Sequence, residues 1–315
     1  MILRLRRAPE HPSAPPPGGP VVFFLPARNE APRVGAVLAE IPGTVCDRRV
    51  VPVVVDDGST DGTGLVAAAA GARVVPLTGR GLGAAVRAGL REAVALGASA
   101  VVFCDADGEY SPDELDRIVG PILDGGADYV VGSRFAGAIE RMLLHRRVGN
   151  TLLTRILAWI AAEPITDGQS GFRALSRRAA AAAEIAHDYN YAQVLTLDLL
   201  AKGFGYDEVP IAYRFRASGQ SFVRLGPYLR AVAPAVFSVV RQSSTTWAAN
   251  SDRAADHRDE SRPSSVTAPA AATAMFIAWW VLSWAKRPWR PKVSSRGMAV
   301  SASSTVAKSC SKPRL

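Results

Sequence analysis

Cysteine is scarce in this sequence of 315 residues. The three cysteines, Cys46, Cys104 and Cys310, lie far apart and match neither a disulfide framework nor the ligand spacing of a zinc site. An apolar secretory leader is also absent, because residues 1–19 carry arginines but no apolar stretch before the prolines at 15–17. These absences exclude a small disulfide scaffold and favour a reducing compartment.

Acidic residues are missing from the C-terminal residues 286–315, which hold eight basic ones. Residues 1–20 add a charge of +2, so the formal net charge of +9 leaves only −1 for residues 21–285. The high isoelectric point therefore belongs to the ends of the chain. By electrostatics alone a basic tail fits an anionic lipid surface, a nucleic acid or plain solvent. We expect an anionic membrane surface and no nucleic-acid partner.

Composition divides the chain into four parts. We predict a disordered basic N-terminus (1–20), a folded domain (21–242), a polar linker (243–263), and an apolar segment with a basic tail (264–315). A membrane span needs roughly 20 mostly apolar residues, and residues 264–285 reach that length only by including serine, threonine and proline. A span would also separate the folded domain from a cytoplasmic basic tail. An interfacial segment is therefore favoured, with a span and a packed or disordered segment as the alternatives.

The predicted domain alternates short apolar runs with helical patterns. The apolar runs are 21–25, 50–55, 100–104, 129–131 and a late strand at 206–210. The helical stretches are 33–40, 62–70, 83–96, 112–124, 146–162, 175–184, 193–202 and 225–241. Continuous apolar strands between amphipathic helices predict an α/β fold with a Rossmann-like, mainly parallel sheet and helices on both faces. Such sheets bind ligands at the carboxyl ends of their strands.

Polar clusters follow four of these apolar runs, at 26–30, 56–61, 105–109 and 132–134. In the third cluster, Asp105 and Asp107 flank one small residue at the end of a strand, and Glu109 follows two positions later. A divalent cation that binds a diphosphate prefers such carboxylate oxygens. The alternative is that Asp-x-Asp helps to begin the helix near residue 112. In the second cluster, Asp61 can cap the next helix, whereas Asp56 and Asp57 suit recognition of a base or ribose.

Five motifs occur in order along the chain. They are Pro26-Ala27-Arg28-Asn29-Glu30, Asp56-Asp57-Gly58-Ser59-Thr60-Asp61, Asp105-Ala106-Asp107-Gly108, Gly132-Ser133-Arg134, and Asp167 with Ser170-Gly171-Phe172-Arg173. Together they resemble the family 2 glycosyltransferases with the GT-A fold, in particular the polyprenyl-phosphate branch typified by dolichyl-phosphate mannosyltransferase. The resemblance covers residues 21–224, about two thirds of the chain.

The resemblance implies a role for each motif. Pro26, Asn29, Glu30 and Asp57 are expected to hold the nucleotide. Asp105 and Asp107 are expected to be catalytic and to bind Mg²⁺ or Mn²⁺, with Glu109 completing the metal site. Many relatives have glutamine at that position, so Glu109 is a departure from the family pattern.

Two basic clusters suit phosphate groups. Arg216, Gly219 and Ser221 resemble the family's Arg-x-x-Gly-x-Ser segment, and their guanidinium, amide and hydroxyl donors can wrap a donor phosphate. Arg146 and Arg147 open a helix, where the helix dipole disfavours cations, so another attraction is plausible there. The resemblance implies that they meet an acceptor phosphate together with Ser133 and Arg134. A surface turn and an exposed basic helix face are the respective alternatives.

The sequence therefore predicts an inverting hexosyltransferase that uses a nucleotide-diphosphate sugar, of the GDP-mannose or UDP-glucose type, and polyprenyl phosphate. We expect it at the cytoplasmic face of the membrane, peripheral or weakly anchored. A phosphate acceptor is already ionised near neutral pH and has little need of a general base. A rival enzyme with a hydroxyl acceptor would need one, from Asp198 or Asp167. A catalytically silent membrane-binding module is the more distant alternative.

Overall fold

The computed structural model describes residues 18–188 and 191–214, with only the backbone given at His145. Arg216 and Ser221, the helix expected at 225–241, the linker 243–263 and the segment 264–315 all lie outside these residues, as does nearly all of the N-terminus expected at 1–20. The first strand starts at Val21.

A single eight-stranded sheet forms the centre of the molecule. Its strands are β1 (Val21–Ala27), β2 (Thr44–Val45), β3 (Arg48–Asp56), β4 (Arg73–Pro76), β5 (Ala100–Phe103), β6 (Tyr129–Ser133), β7 (Arg173–Ser176) and β8 (Tyr206–Pro210). The order is β2-β3-β1-β5-β7-β6-β8, with β4 paired to β3. All but β2 and β7 run in one direction, which confirms the mainly parallel α/β sheet.

Strand β7 corrects the sequence prediction of a helix at 175–184. Residues 173–176 instead form an antiparallel strand between β5 and β6, and the helix covers only Arg177–Ala182. Ala174 and Leu175 are fully buried in the sheet, and the Ser176 side chain then caps the helix by accepting a hydrogen bond from the Ala179 amide. The alanine-rich run after residue 178 has high helix propensity, which obscured this boundary.

Helices cover both faces of the sheet, as predicted. They are α1 (Ala31–Ala39), α2 (Thr63–Ala69), α3 (Leu82–Ala95), α4 (Leu115–Leu123, after a 3₁₀ turn at Pro112–Glu114), α5 (Leu144–Ala161), α6 (Arg177–Ala182) and α7 (Ala192–Ala201). Apolar residues of α1, α2 and α4 pack on one face, and those of α3, α6 and α7 on the other. Helix α5 packs against α7 through Leu157 and Ala161. Among the described residues, no helix combines the length and apolar character that crossing a bilayer requires.

Candidate active site

The candidate site lies along one edge of the sheet. The carboxyl ends of β1, β3, β5 and β6 meet there because these strands are parallel. Strand β7 runs the opposite way, so its first residues, preceded by Ser170 and Gly171, reach the same edge. The antiparallel direction of β7 is therefore the reason that the last of the five sequence motifs joins the first four.

The loops after β1 and β3 are joined by hydrogen bonds. The Asn29 amide donates to Ser59 Oγ at 2.9 Å, and Asn29 Oδ1 accepts from the Thr60 amide at 2.9 Å. Asp61 Oδ2 accepts from the Ala31 amide at 3.0 Å, at the first residue of α1. Asn29 has a positive φ of 56°, a conformation that asparagine tolerates better than most residues. Asn29 thus shapes the candidate nucleotide pocket as well as lining it.

Asp57 binds a third loop, the one after β4. Its two carboxylate oxygens accept the backbone amides of Arg80 and Gly81 at 2.7 and 2.8 Å. Gly58 passes so close to this loop that a Cβ atom there would lie 2.8 Å from the Gly79 nitrogen. The buried carboxylate therefore joins the loop after β4 to the loop after β3, which Asn29 already joins to the loop after β1, while the side chains of Arg28 and Arg80 remain mostly exposed.

The other residues predicted to bind nucleotide sit in the same place. Pro26 lies within β1 and is paired in register with Val55. The Glu30 amide donates to Thr63 Oγ1 at 2.9 Å, and its carboxylate pairs with Arg33 at 2.9 Å. Asp56 Oδ1 accepts the Ser59 amide at 2.9 Å. The structure brings Pro26, Asn29, Glu30, Asp56 and Asp57 together, mostly as the frame of the cavity.

Negative charge is concentrated at the end of β5. Burial, and then the negative charges of Asp107 and Glu109, raise the pKa of Asp105 to about 7. A Cβ atom at Gly171 would lie 2.5 Å from Asp105 Oδ2, so only glycine lets the strand β7 approach this carboxylate. The neighbouring Tyr110 is buried, and its hydroxyl accepts a hydrogen bond from the Gly171 amide at 2.7 Å. Unbalanced carboxylates of this kind suit a divalent cation.

The expectation that Asp105, Asp107 and Glu109 together hold a metal stays a prediction. Within residues 18–188 and 191–214, no three histidine, cysteine or acidic side chains converge as a metal-binding group. Glu109 instead faces Arg146, at 3.9 Å between Oε1 and Nη1, and is hydrogen-bonded to the Tyr213 hydroxyl, whose pKa is raised by burial and by this carboxylate. Asp105, Asp107 and Glu109 carry carboxylates whose chemistry fits a cation that also binds diphosphate oxygens.

The end of β6 is built around a buried ion pair. Arg134 Nε and Nη2 donate to the two oxygens of Asp167 at 2.7 and 2.9 Å, and the Arg134 amide adds a third bond at 3.1 Å. Ser133 is buried as well, with its hydroxyl 2.6 Å from that of Thr166. Ser133 and Arg134, which were predicted to contact an acceptor phosphate, are therefore bound to the loop before β7 and hold it in position.

The arginines of α5 are placed differently. Arg146 is partly exposed beside Glu109, and Arg147 is exposed one position later. The structure thus puts Arg146 at the site itself and Arg147 at its rim. Of the four residues predicted to contact an acceptor phosphate, these two are the ones with guanidinium groups that solvent reaches.

Both candidate general bases are bound elsewhere. Asp167 is fully buried and neutralised by Arg134. Asp198 lies in α7, 2.8 Å from Lys202 Nζ, and accepts the Glu184 amide at 2.8 Å. Burial raises the pKa of Asp198 despite these partners. Each carboxylate has a structural role that accounts for its position.

Sequence reasoning missed several residues of the site. Tyr110, two residues after Gly108, supports the Gly171 loop. Arg173 is fully buried and hydrogen-bonds Tyr129, Thr196 and the carbonyl of Ala192, which links β7 to β6 and α7. Arg173 belongs to the fifth motif, so its pattern was visible, but its partners are far apart in sequence and only the fold brings them together.

The fold and the carboxylates at its strand ends define a class of nucleotide-binding α/β proteins. Within that class, the sequence profile described as Glycosyl transferase family 2 matches residues 23–182. The chain belongs to this family.

Curated relatives agree with this membership. The chain is 32% identical over 205 residues to glycosyltransferase AglJ of Haloferax volcanii, covering 63% of this chain and 64% of that protein. It is 33% identical to a dolichyl-phosphate hexose transferase of the same organism, covering 60% and 80%. It is 31% identical to polyprenol monophosphomannose synthase of Mycolicibacterium smegmatis, covering 69% and 86%. The match thus spans just under two thirds of AglJ but most of the other two.

Solved structures share the fold. Glucosyl-3-phosphoglycerate synthase from Mycobacterium tuberculosis, in complex with Mn²⁺, uridine diphosphate and phosphoglyceric acid, matches with a TM-score of 0.59 at 27% identity, covering 71% of this chain and 79% of that one. The same enzyme with Mg²⁺ and uridine diphosphate matches with a TM-score of 0.59 at 26% identity, covering 71% and 80%. Both neighbours thus bind a divalent cation together with uridine diphosphate.

Proposed function

We propose that this protein is a glycosyltransferase that moves a hexose from a nucleotide-diphosphate sugar to polyprenyl phosphate, with inversion at the sugar and with Mg²⁺ or Mn²⁺. The choice of a phosphate acceptor rests on a contrast between the candidate bases and the arginines of α5. Asp167 and Asp198, the two carboxylates considered as general base, are both held in ion pairs, whereas Arg146 lies partly exposed beside Glu109 and the next residue, Arg147, is exposed.

The donor is assigned to the cavity edge formed by the loops after β1, β3 and β4. Asp57 and Asn29 hold these loops in one arrangement before any ligand arrives, which lowers the ordering cost of binding. The exposed Arg28 and Arg80 add positive charge for an anionic nucleotide. Arg216 and Ser221 remain proposed donor-phosphate ligands from outside the described residues.

Asp105 and Asp107 would hold the divalent cation, with further ligands from the donor diphosphate. Bound there, the cation would offset the negative charge that develops on the leaving diphosphate. The raised pKa of Asp105 is consistent with this assignment, because crowded carboxylates gain most from a cation. Glu109, whose carboxylate also faces Arg146, is proposed to complete the metal site.

In the proposed reaction, an oxygen of the acceptor phosphate attacks the anomeric carbon from the face opposite the diphosphate. The bond between that carbon and the diphosphate oxygen breaks, and its electron pair leaves with the diphosphate. Arg146 and Arg147 bind the acceptor phosphate, while Arg134 and Ser133 position the loop opposite. The attacking oxygen is already ionised, so no side chain has to remove a proton.

A second candidate is transfer to a hydroxyl group on a small phosphorylated acceptor. Its support is the structural similarity to glucosyl-3-phosphoglycerate synthase bound to phosphoglyceric acid. The arginines of α5 would then bind the acceptor's phosphate or carboxylate, and a base would still be needed for its hydroxyl. The positions of Asp167 and Asp198 argue against this candidate.

The test uses purified full-length protein with labelled GDP-mannose or UDP-glucose. Each donor is offered with short-chain polyprenyl phosphate in detergent or with phosphoglyceric acid, with Mn²⁺, with Mg²⁺ or with EDTA. We expect labelled lipid product that depends on the metal, with inverted anomeric configuration by NMR. Transfer to phosphoglyceric acid alone would favour the second candidate, and undiminished transfer in EDTA would remove the metal from the proposal.

We also propose a peripheral position at the cytoplasmic face of a membrane, where nucleotide sugars and lipid acceptors meet. Residues 264–315 combine an apolar segment with eight basic residues and no acidic ones, so they are the proposed anchor. Deleting them should weaken attachment to anionic vesicles and leave turnover of a detergent-dispersed acceptor nearly unchanged. Full retention on vesicles would show that another surface attaches the protein.

A further inference from the structure

Helix α5 presents a stripe of large apolar side chains to solvent. Six of the eight large apolar residues that are exposed within the described part of the chain lie in this helix or immediately before it. They are Leu143, Leu144, Val148, Leu152, Ile156 and Trp159. Their spacing of three or four residues within the helix places them along one side. Another side, with Leu157 and Ala161, is already buried against α7.

The exposure within this α5 stripe is large. Leu144 is 76% exposed, Val148 60%, Leu152 59% and Trp159 50%. Single exposed apolar residues are normal on protein surfaces, but a continuous stripe over four turns of one helix marks an interaction site. The packing of α5 on α7 does not explain the stripe, because the side that α7 covers is a different one.

We propose that the α5 stripe docks on an anionic lipid surface. Helix α5 contains no acidic residue. Arg147 and Arg155 are exposed next to the stripe, and no ion pair is recorded for either among the described residues. An apolar side flanked by arginine and ending in tryptophan has the composition of helices that lie in the plane of a membrane interface. The complementary partner is a lipid bilayer, which has an apolar interior and, with anionic lipids, negatively charged headgroups.

Other occupants match the stripe only in part, because the linker 243–263 holds acidic residues but has no apolar run. The apolar segments 225–241 and 264–285 contain no acidic residue that could pair with Arg147 or Arg155, and residues 286–315 are wholly basic in their charged groups. A second copy docked through the same surface would bring two basic stripes together. Negatively charged lipid satisfies the arginines and the apolar side chains at once.

Docking would also align the proposed site with its acceptor, and in this respect the inference rests on the proposed function. Arg146, in the first turn of α5, lies 3.9 Å from Glu109 at the candidate site. A lipid-linked phosphate emerging from the bilayer beside the stripe would therefore meet the proposed acceptor arginines without leaving the membrane surface.

A fluorescent probe at one position tests the docking in the full-length protein. Cys46 and Cys310 are replaced by serine, and an NBD probe is attached through Leu152→Cys. The matched control carries the probe through Leu65→Cys on α2, where the native leucine is 79% exposed but belongs to no stripe. We expect a blue shift at position 152, and quenching by nitroxide-labelled lipid, with vesicles that contain phosphatidylglycerol. The probe at position 65 should show neither.

Two further measurements sharpen the result. Arg155→Gln should weaken vesicle binding about fivefold, since one arginine near an anionic surface contributes roughly that factor. Rising salt should weaken binding by the wild-type protein in the same direction. A probe at position 152 that is blue-shifted before vesicles are added would show that the chain or a second copy covers the stripe, and would overturn the proposal.

An unchanged spectrum at position 152 on vesicle-bound protein, or an equal shift at position 65, would also overturn it. Transfer activity is measured separately with short-chain polyprenyl phosphate in detergent, where no membrane is needed. Loss of the spectral shift with activity intact would refute docking alone. Absence of transfer with every donor and acceptor would count against the proposed function, whatever the probe reports.

Discussion

The two ends of the candidate site are built in different ways. Around β1, β3 and β4, the proposed donor side, side chains such as Asn29 and Asp57 accept backbone amides and leave arginines exposed. Around β6, β7 and β8, the proposed acceptor side, charged groups pair with each other inside the protein, as Arg134 does with Asp167. Substitutions of exposed charged residues should therefore change activity, and substitutions in the buried ion pairs of the acceptor side should first change stability.

The largest effect is expected between the two sides, at Asp107. Asp107→Ala should lower kcat/KM about a thousandfold or more, because cation stabilisation of a leaving group is worth several kcal/mol. The free energy of unfolding should change little, since the side chain is only partly buried. Asp113→Ala removes an exposed carboxylate from the 3₁₀ turn and serves as the matched control. Comparable losses in both variants would remove Asp107 from the mechanism.

Arg134→Ala tests the acceptor side directly. Removing one partner of a buried ion pair leaves an uncompensated charge, so the free energy of unfolding should fall by about 3–5 kcal/mol. Arg28→Ala is the counterpart on the donor side, where the arginine is 54% exposed and 3.9 Å from Asp57. It should cost less than about 1 kcal/mol. Urea denaturation measures both, and equal losses would abolish the distinction between the two sides.

The pH dependence of the free energy of unfolding at Asp128 also tests whether charged groups on the acceptor side stabilise the fold. This carboxylate precedes β6 and accepts hydrogen bonds from Arg178, Ser176 and the Gly205 amide. Burial alone would raise the pKa of Asp128, but these partners outweigh it and the pKa is lowered. Because the pKa of Asp128 is lower in the folded state, its ionised form stabilises the fold. This stabilisation is complete above the unfolded-state pKa near 3.8, and it is lost as the pH falls through the folded-state pKa.

Asp128→Asn should therefore destabilise the protein at pH 7 by about 1.5–3 kcal/mol, the contribution of a hydrogen bond to a charged group. The difference from the wild type should shrink below pH 4. Unfolding free energies measured across this range check the prediction. A difference that stays constant at acid pH would show that the ionised form of Asp128 is not what stabilises this part of the sheet.

An effect similar in size to that of Asp128→Asn is expected at the rim, from Arg147→Ala, and it falls on acceptor binding. One charge-assisted hydrogen bond contributes roughly 1.5–3 kcal/mol, so the acceptor KM should rise about tenfold or more. The donor KM should stay the same, because the donor is assigned to the opposite end of the site. Asp198→Asn should keep the rate within a few fold of wild type. Collapse of kcat in Asp198→Asn with an unchanged acceptor KM in Arg147→Ala would favour the hydroxyl-acceptor enzyme.

Some features were visible in local sequence patterns. The β1, β3, β5 and β6 strands are continuous apolar runs, and the sequence located each of them to within a few residues. Strand β4 was missed because it is short and partly exposed at the sheet edge, and β7 because alanine-rich sequence follows it. The α5 stripe was missed for a different reason: its residues alternate with arginines, and periodicity does not reveal which side of a helix neighbours leave uncovered.

By itself the sequence determined the α/β class, the positions of five of the eight strands, and the motifs with Asp57, Asp105, Asp107 and Arg134, because strand periodicity and short polar clusters are local. The tertiary structure alone decided how these residues are used. It paired Arg134 with Asp167, placed Arg146 beside Glu109, and packed Gly171 against Asp105. Partners such as Arg134 and Asp167 are 33 residues apart, and the antiparallel insertion of β7 is what brings them together.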